Sequence, residues 1–156
     1  MSRPYENNRT IQQSNNNNLS RILAIDYGTK RTGLAVTDPL QIIATGLDTV
    51  RTQDLEEYLK QYLAREEVET IVVGEPLYPD GNPAQIHHLV VGFVRRLKKL
   101  FPDTEVVTHD ERYTSEEARE VILQSGAGKK KRRDKGLVDK VSAVLILQDY
   151  LETKRT

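Results

Sequence analysis

With 156 residues, the chain is long enough for one α/β domain with a real core and short for two. It has 23 basic and 23 acidic side chains and no net charge, a balance that argues against a protein coating nucleic acid indiscriminately. It has no cysteine, which excludes a disulfide framework and any cysteine-ligated zinc or iron–sulfur site.

No apolar run is long enough to span a bilayer, and no apolar signal core follows the N-terminus, so a cytoplasmic location without membrane partners is expected. Residues 1–18 form a polar leader ending in four asparagines, with too little apolar surface to offset the entropy of ordering it. A flexible leader is expected there, with the folded domain over residues 21–152.

Ile22-Leu23-Ala24-Ile25 is a short continuous apolar run, as expected of a central strand covered on both faces. Gly28-Thr29-Lys30-Arg31 reads as a turn, after which Thr32 to Thr37 returns as a second strand and Gln41 to Val50 supplies a third. Leu55, Tyr58, Leu59, Tyr62 and Leu63 then recur at helical spacing, and Thr70 to Gly74 is a buried strand. Asn82-Pro83 opens a helix with the stripe Ile86, Leu89, Val90, Phe93, Val94 and Leu97. Glu105 to His109 is a short strand, and Thr114-Ser115-Glu116-Glu117 is a capping box for a helix closing near Ser125-Gly126. A basic loop, Gly128 to Gly136, precedes a last helix from Leu137 to Glu152. The order β-β-β-α-β-α-β-α-α predicts a mixed five-stranded sheet, a three-strand antiparallel meander plus parallel strands, with helices on both faces.

Ligand sites in open α/β sheets lie beyond the carboxyl ends of parallel strands. Asp26 ends the first strand, Glu75 follows the fourth, Asp110-Glu111 follows the fifth, and Asp139 lies in the first turn of the last helix. Hard divalent cations take oxygen ligands, and a paired-metal site draws carboxylates from separate segments. Each of these acids also has an ordinary reading as a surface or helix-terminal charge. Asp26 is the strongest single candidate, because a carboxylate closing an apolar central strand is costly to bury without a partner.

At Ile25-Asp26-Tyr27-Gly28-Thr29-Lys30-Arg31-Thr32-Gly33-Leu34-Ala35 the chain resembles the YqgF family of Holliday-junction-resolvase-like nucleases, also described as pre-16S rRNA nucleases. Ile71-Val72-Val73-Gly74-Glu75-Pro76 with Asp80-Gly81, Asp110-Glu111-Arg112-Tyr113-Thr114-Ser115, and Lys135-Gly136-Leu137-Val138-Asp139-Lys140-Val141-Ser142-Ala143 are similar to three further family elements, in the same order. The resemblance covers about residues 21–152. It implies a ribonuclease H-like fold and a phosphodiesterase site in which Asp26, Glu111 and Asp139 hold Mg²⁺ or Mn²⁺. The family role it implies is 5′-end processing of pre-16S rRNA during ribosome biogenesis. Position 75 is commonly apolar in the family, but true resolvases place a catalytic glutamate near the end of the corresponding strand, so Glu75 stands as an alternative to Glu111 or an additional metal carboxylate.

Lys30, Arg31 and Arg112 adjoin the motif carboxylates and could either hold substrate phosphates or pair with those acids. The run Lys129, Lys130, Lys131, Arg132, Arg133 and Lys135 precedes Asp139 and reads as a backbone-tracking element for nucleic acid. RNA is the favoured partner over DNA junctions. A resolvase would require a symmetric dimer, whereas a single-strand nuclease could act as a monomer. Three rival readings stand beside this one: a junction resolvase, a non-catalytic nucleic-acid-binding module of the same fold, and ATP-dependent phosphotransfer. The last rests on the likeness of Asp26-Tyr27-Gly28-Thr29 to the phosphate-binding hairpin of actin-like ATPases, which place nucleotide between two such domains.

Overall fold

The computed structural model describes residues 19–76, 86–111, 118, 120–122, 124 and 134–155. The leader 1–18, the helix start at Asn82-Pro83, most of the segment around the Thr114 capping box and the loop 125–133 lie outside the described residues.

Strands β1 (Arg21–Asp26), β2 (Arg31–Thr37) and β3 (Ala44–Arg51) form the expected antiparallel meander. Helix α1 (Leu55–Arg65) follows a 3-10 turn at Thr52–Asp54, then come β4 (Val68–Pro76), α2 (His87–Leu100), β5 (Glu105–Glu111) and α3 (Lys135–Arg155). The sheet order is β3-β2-β1-β4-β5, with β4 parallel to both β1 and β5. The fold class read from the sequence is the one observed.

Alternation along β1 divides the core. Leu23 and Ile25 face α1 and α2, in a cluster with Leu34, Ile71, Val73, Leu59 and Val94. Ile22 and Ala24 face α3 with Ala35, Val72, Ala143, Ile146 and Leu147. Both faces of the central strands are thus sealed, which is why β1 and β4 read as unbroken apolar runs rather than alternating ones. Helical residues Ala118 and Ile122 pack with Val138 in a third, smaller cluster. Leu147 is wholly buried, and Leu147→Ala is expected to lower stability by about 2–5 kcal/mol, measurable as a drop in urea midpoint at unchanged m-value.

Several boundaries differ from the sequence reading. Helix α3 begins at Lys135 rather than Leu137, because the Asp134 carboxylate accepts the N–H groups of Gly136 at 2.9 Å and Leu137 at 3.2 Å and caps it inside the charged run. Strand β5 continues through Asp110 to Glu111, since pairing with Glu75 and Pro76 carries the ladder to the sheet edge. Leu89, assigned to the buried stripe of α2, is 41% exposed, while Val90, Val94 and Leu97 are buried.

Candidate active site at the carboxyl ends of the central strands

The turn after β1 is held from below. Thr52 donates its hydroxyl to the Gly28 carbonyl at 2.6 Å and its N–H to the Lys30 carbonyl at 2.9 Å. A Cβ at Gly28 would sit 2.2 Å from the Arg31 carbonyl oxygen, so only glycine lets the turn close this tightly. Asp26 closes β1 just before it, on the sheet face that carries Ile22 and Ala24 and is covered by α3.

Asp26 is the register partner of Gly33 on β2. A Cβ on Gly33 would lie 2.0 Å from the Asp139 carbonyl oxygen and 2.4 Å from its carbon. The first turns of α3 therefore rest directly on the β2 backbone, one strand spacing from Asp26. Two acids from the start and the end of the chain are brought to one face in this way. Asp139 Oδ2 accepts a 2.9 Å hydrogen bond from Arg31 Nε, and the Asp139 side chain is 23% exposed. Of the two roles left open for Arg31, the structure shows the pairing with a carboxylate.

The other strand ends separate the remaining acids. Glu75 shares the phase of Val73, on the α1–α2 face, and its carboxylate lies 3.6 Å from His87 Nδ1 of α2. It is thus across the sheet from Asp26 and Asp139. Glu111 is the last residue of β5, in register with Pro76. The two-residue period of β5 assigns position 111 to the face of Val107 and His109, which is the α3 face. Two strand spacings and two residues separate the Asp26 and Glu111 backbones, roughly 12 Å. His109 Nε2 is 2.6 Å from Asp149 of α3 and its ring meets Tyr150 edge-on, so it is engaged structurally. Tyr27 packs on Phe93 with ring centroids 4.7 Å apart, a core contact rather than a platform for bases.

Among the basic residues, Lys30 and Lys135 are exposed near this end of the sheet, whereas Arg112, Lys129, Lys130, Lys131, Arg132 and Arg133 lie outside the described residues. Two cations were not singled out from sequence. Arg51 ends β3 as the direct register partner of Arg31. Lys140 lays its methylenes over Gly46 of β3, where a Cβ would meet Lys140 Cγ at 2.8 Å. Counting from the Thr37–Ala44 pair would match Arg31 with Val50, and the register shift between Leu34 and Ala35 moves the partner to Arg51.

These residues suit a hard cation. Two carboxylates from separate elements share one face, and a guanidinium already neutralises one of them. Ser142, one turn along α3 from Asp139, is wholly buried and its hydroxyl has no hydrogen-bond partner among the described residues. Among the described residues no three acidic or histidine side chains form a complete cage, and the Glu111 side chain is not among those described.

A family model described as RuvX, Holliday junction resolvase, matches residues 20–153. A Flavobacterium johnsoniae protein provisionally named pre-16S rRNA nuclease is 50% identical over 137 residues, covering 88% of this chain and 99% of its own. A Porphyromonas gingivalis protein of the same provisional name is 51% identical over 134 residues, 86% of this chain and 97% of that one. The structure of T. thermophilus RuvC in complex with a Holliday junction substrate aligns with a TM-score of 0.54 at 18% identity, over 87% of this chain and 96% of RuvC, which shows the shared ribonuclease H-like fold. The match over nearly all of the region from β1 to α3 places the chain in the RuvX (YqgF) family of Holliday-junction-resolvase-like nucleases.

Proposed function

We propose that this nuclease hydrolyses phosphodiester bonds with Mg²⁺ or Mn²⁺ held by Asp26, Asp139 and Glu111, and that its substrate is the 5′ precursor segment of 16S ribosomal RNA. The observation that carries the reading is the close approach at Gly33, which sets the Asp139 backbone beside the strand end that carries Asp26. Two carboxylates gathered on one face repel each other unless positive charge is supplied, and divalent cations supply it in the form that phosphodiester hydrolysis uses. When bound, such cations lower the pKa of a coordinated water and stabilise the departing oxygen.

The chain's own residues do the rest. Asp26 is held rigidly at the end of a buried strand, and Asp139 is fixed by the capped start of α3, so neither acid has to be ordered during the reaction. Lys30 and Arg31 orient the phosphate through charge-assisted hydrogen bonds. Lys135, with Arg112, Lys129, Lys130, Lys131, Arg132 and Arg133, extends positive charge along the entering strand. Glu75 is the weaker metal candidate, since it shares its face with His87 rather than with Asp26. The close relatives' names favour RNA over a DNA junction, and a role in ribosome biogenesis implies action in the cytoplasm.

The test is cleavage of a labelled RNA spanning the 16S 5′ leader beside a DNA four-way junction, with Mg²⁺, with Mn²⁺ and with EDTA. Metal-dependent cutting of the RNA is expected, with loss of at least about 10²-fold in EDTA. Cutting of the junction alone would move the substrate to DNA. Equal RNA cutting in EDTA would remove the metal from the mechanism. Folded protein that binds RNA and cuts neither substrate would make it a binding module.

A further inference from the structure

We propose that Arg31 and Arg51 form a two-guanidinium clamp for a backbone phosphate, so that one strand of the RNA substrate crosses the open ends of β2 and β3. This inference rests on the RNA-nuclease reading above and adds to it a path for the bound strand.

The argument begins from an arrangement that is unfavourable by itself. Arg31 and Arg51 are direct cross-strand partners, and direct partners share a face of the sheet. Like charges placed so are destabilising in a sheet. Arg31 is offset by Asp139 at 2.9 Å. Arg51 is exposed and makes no ion pair among the described residues, and neither do Lys30, Lys135 or Lys140. Arg21 is paired with Glu66 and Arg96 with Glu56, whereas Arg65, Arg95 and Arg155 make no ion pair among the described residues. Lys30, Arg51, Lys135 and Lys140 thus place four cations without an ion pair, among the described residues, around the elements that carry Asp26 and Asp139.

The chemistry of that concentration selects its ligand. Two arginines in register on adjacent strands can bring forked N–H donors to one phosphate, whose oxygens they match better than two ammonium groups would. Thr49, two residues before Arg51 on the same face, donates its hydroxyl to the Gly136 carbonyl at 2.5 Å, tying β3 to the start of α3. The edge strand is thereby fixed relative to Asp139, and the distance from clamp to acids is set by the fold. Arg31 has two competing partners in this scheme. Whatever draws Asp139 away from it releases its guanidinium to the phosphate.

The experiment is fluorescence anisotropy with a labelled single-stranded RNA of the 16S leader, in EDTA so that nothing is cut, across a series of KCl concentrations. Arg51→Ala is expected to weaken binding about tenfold. It should also make the log–log salt slope shallower by about 0.7, the loss of one phosphate contact to a single strand. Arg51→Lys should restore the slope but only part of the affinity, because charge returns without the fork. Arg95→Ala, on exposed α2 across the sheet, should behave as wild type. Asp139→Asn should bind severalfold tighter, since it frees Arg31 and removes a repelling charge. Equal behaviour of the Arg51 and Arg95 variants, with wild type binding normally, overturns the clamp and leaves the nuclease reading intact. Failure of wild type to bind RNA at any salt overturns both. Circular dichroism confirms folding, and the conservative lysine variant carries the comparison if the alanine protein is unstable.

Discussion

Asp26→Asn is expected to reduce phosphodiester cleavage by roughly 10³-fold or more while the protein melts within a few degrees of wild type. The amide has nearly the shape of the carboxylate, so β1 and its pairing with Gly33 should persist. What disappears is the negative charge at the strand end, and with it the reason for a hard cation to sit there. The loss should appear in the rate under saturating RNA, with affinity in EDTA unchanged or slightly improved as one repelling charge is removed. Single-turnover cleavage beside anisotropy separates the two effects. Full cleavage by the asparagine protein would remove Asp26 from the chemistry and direct attention to the acids of β5 and α3.

Gly33→Ala is expected to cost about 3 kcal/mol of stability and most of the activity together. The new methyl would have to occupy space 2.0 Å from the Asp139 carbonyl oxygen. That obstacle is the backbone of a helix packed along the sheet, not a side chain that can swing aside. Helix α3 must lift from β2, and Asp139 lifts with it. Gly92→Ala is the matched control, because no atom of the described residues lies within 4 Å of its added carbon. Removing a glycine from the middle of α2 should stabilise the protein by about 0.5–1 kcal/mol without touching cleavage. Urea denaturation of both variants, with cleavage measured under conditions where both are folded, separates helix position from global stability. A Gly33→Ala protein as stable and active as wild type would mean that the contact between α3 and β2 is not what sets the site.

Much of this architecture was legible in the sequence for a plain reason. Buried parallel strands and amphipathic helices carry their periods in the chain, so Ile22 to Ile25, Leu55 to Leu63 and Thr70 to Gly74 declared themselves. Chain order then supplied the meander and the crossovers. The acids at the strand ends were also visible, because a strand's carboxyl end can be found without knowing its neighbours. What could not be read was phase. Glu75 and Asp26 look equivalent in sequence, yet β4 turns Glu75 towards His87 and the opposite helical layer. A one-residue change of phase reverses the face, and only the pairing of Val73 with Ile25 fixes it. Arg51 was hidden by a similar obstacle, since the β2–β3 register shifts between Leu34 and Ala35 and cannot be counted across the bulge. The start of α3 was misread because Asp134 lies within a run of lysines and arginines, where its capping role is masked by composition.

The site's two ends are also the chain's two ends in time. Asp26 leaves the ribosome early, on a strand whose outer face has only Ile22 and Ala24 to show for it. Asp139 belongs to α3, made after every strand of the sheet. A nascent chain can therefore pair its meander and dock α1 long before it owns a second acid on the α3 face. If Asp26 and Asp139 are both needed for cleavage, as proposed, this order of synthesis delays competence until α3 has emerged and covered the sheet. On the proposed assignment, assembly of the acidic pair and closure of the second core layer are one event, so a molecule with that layer open would have no cutting centre.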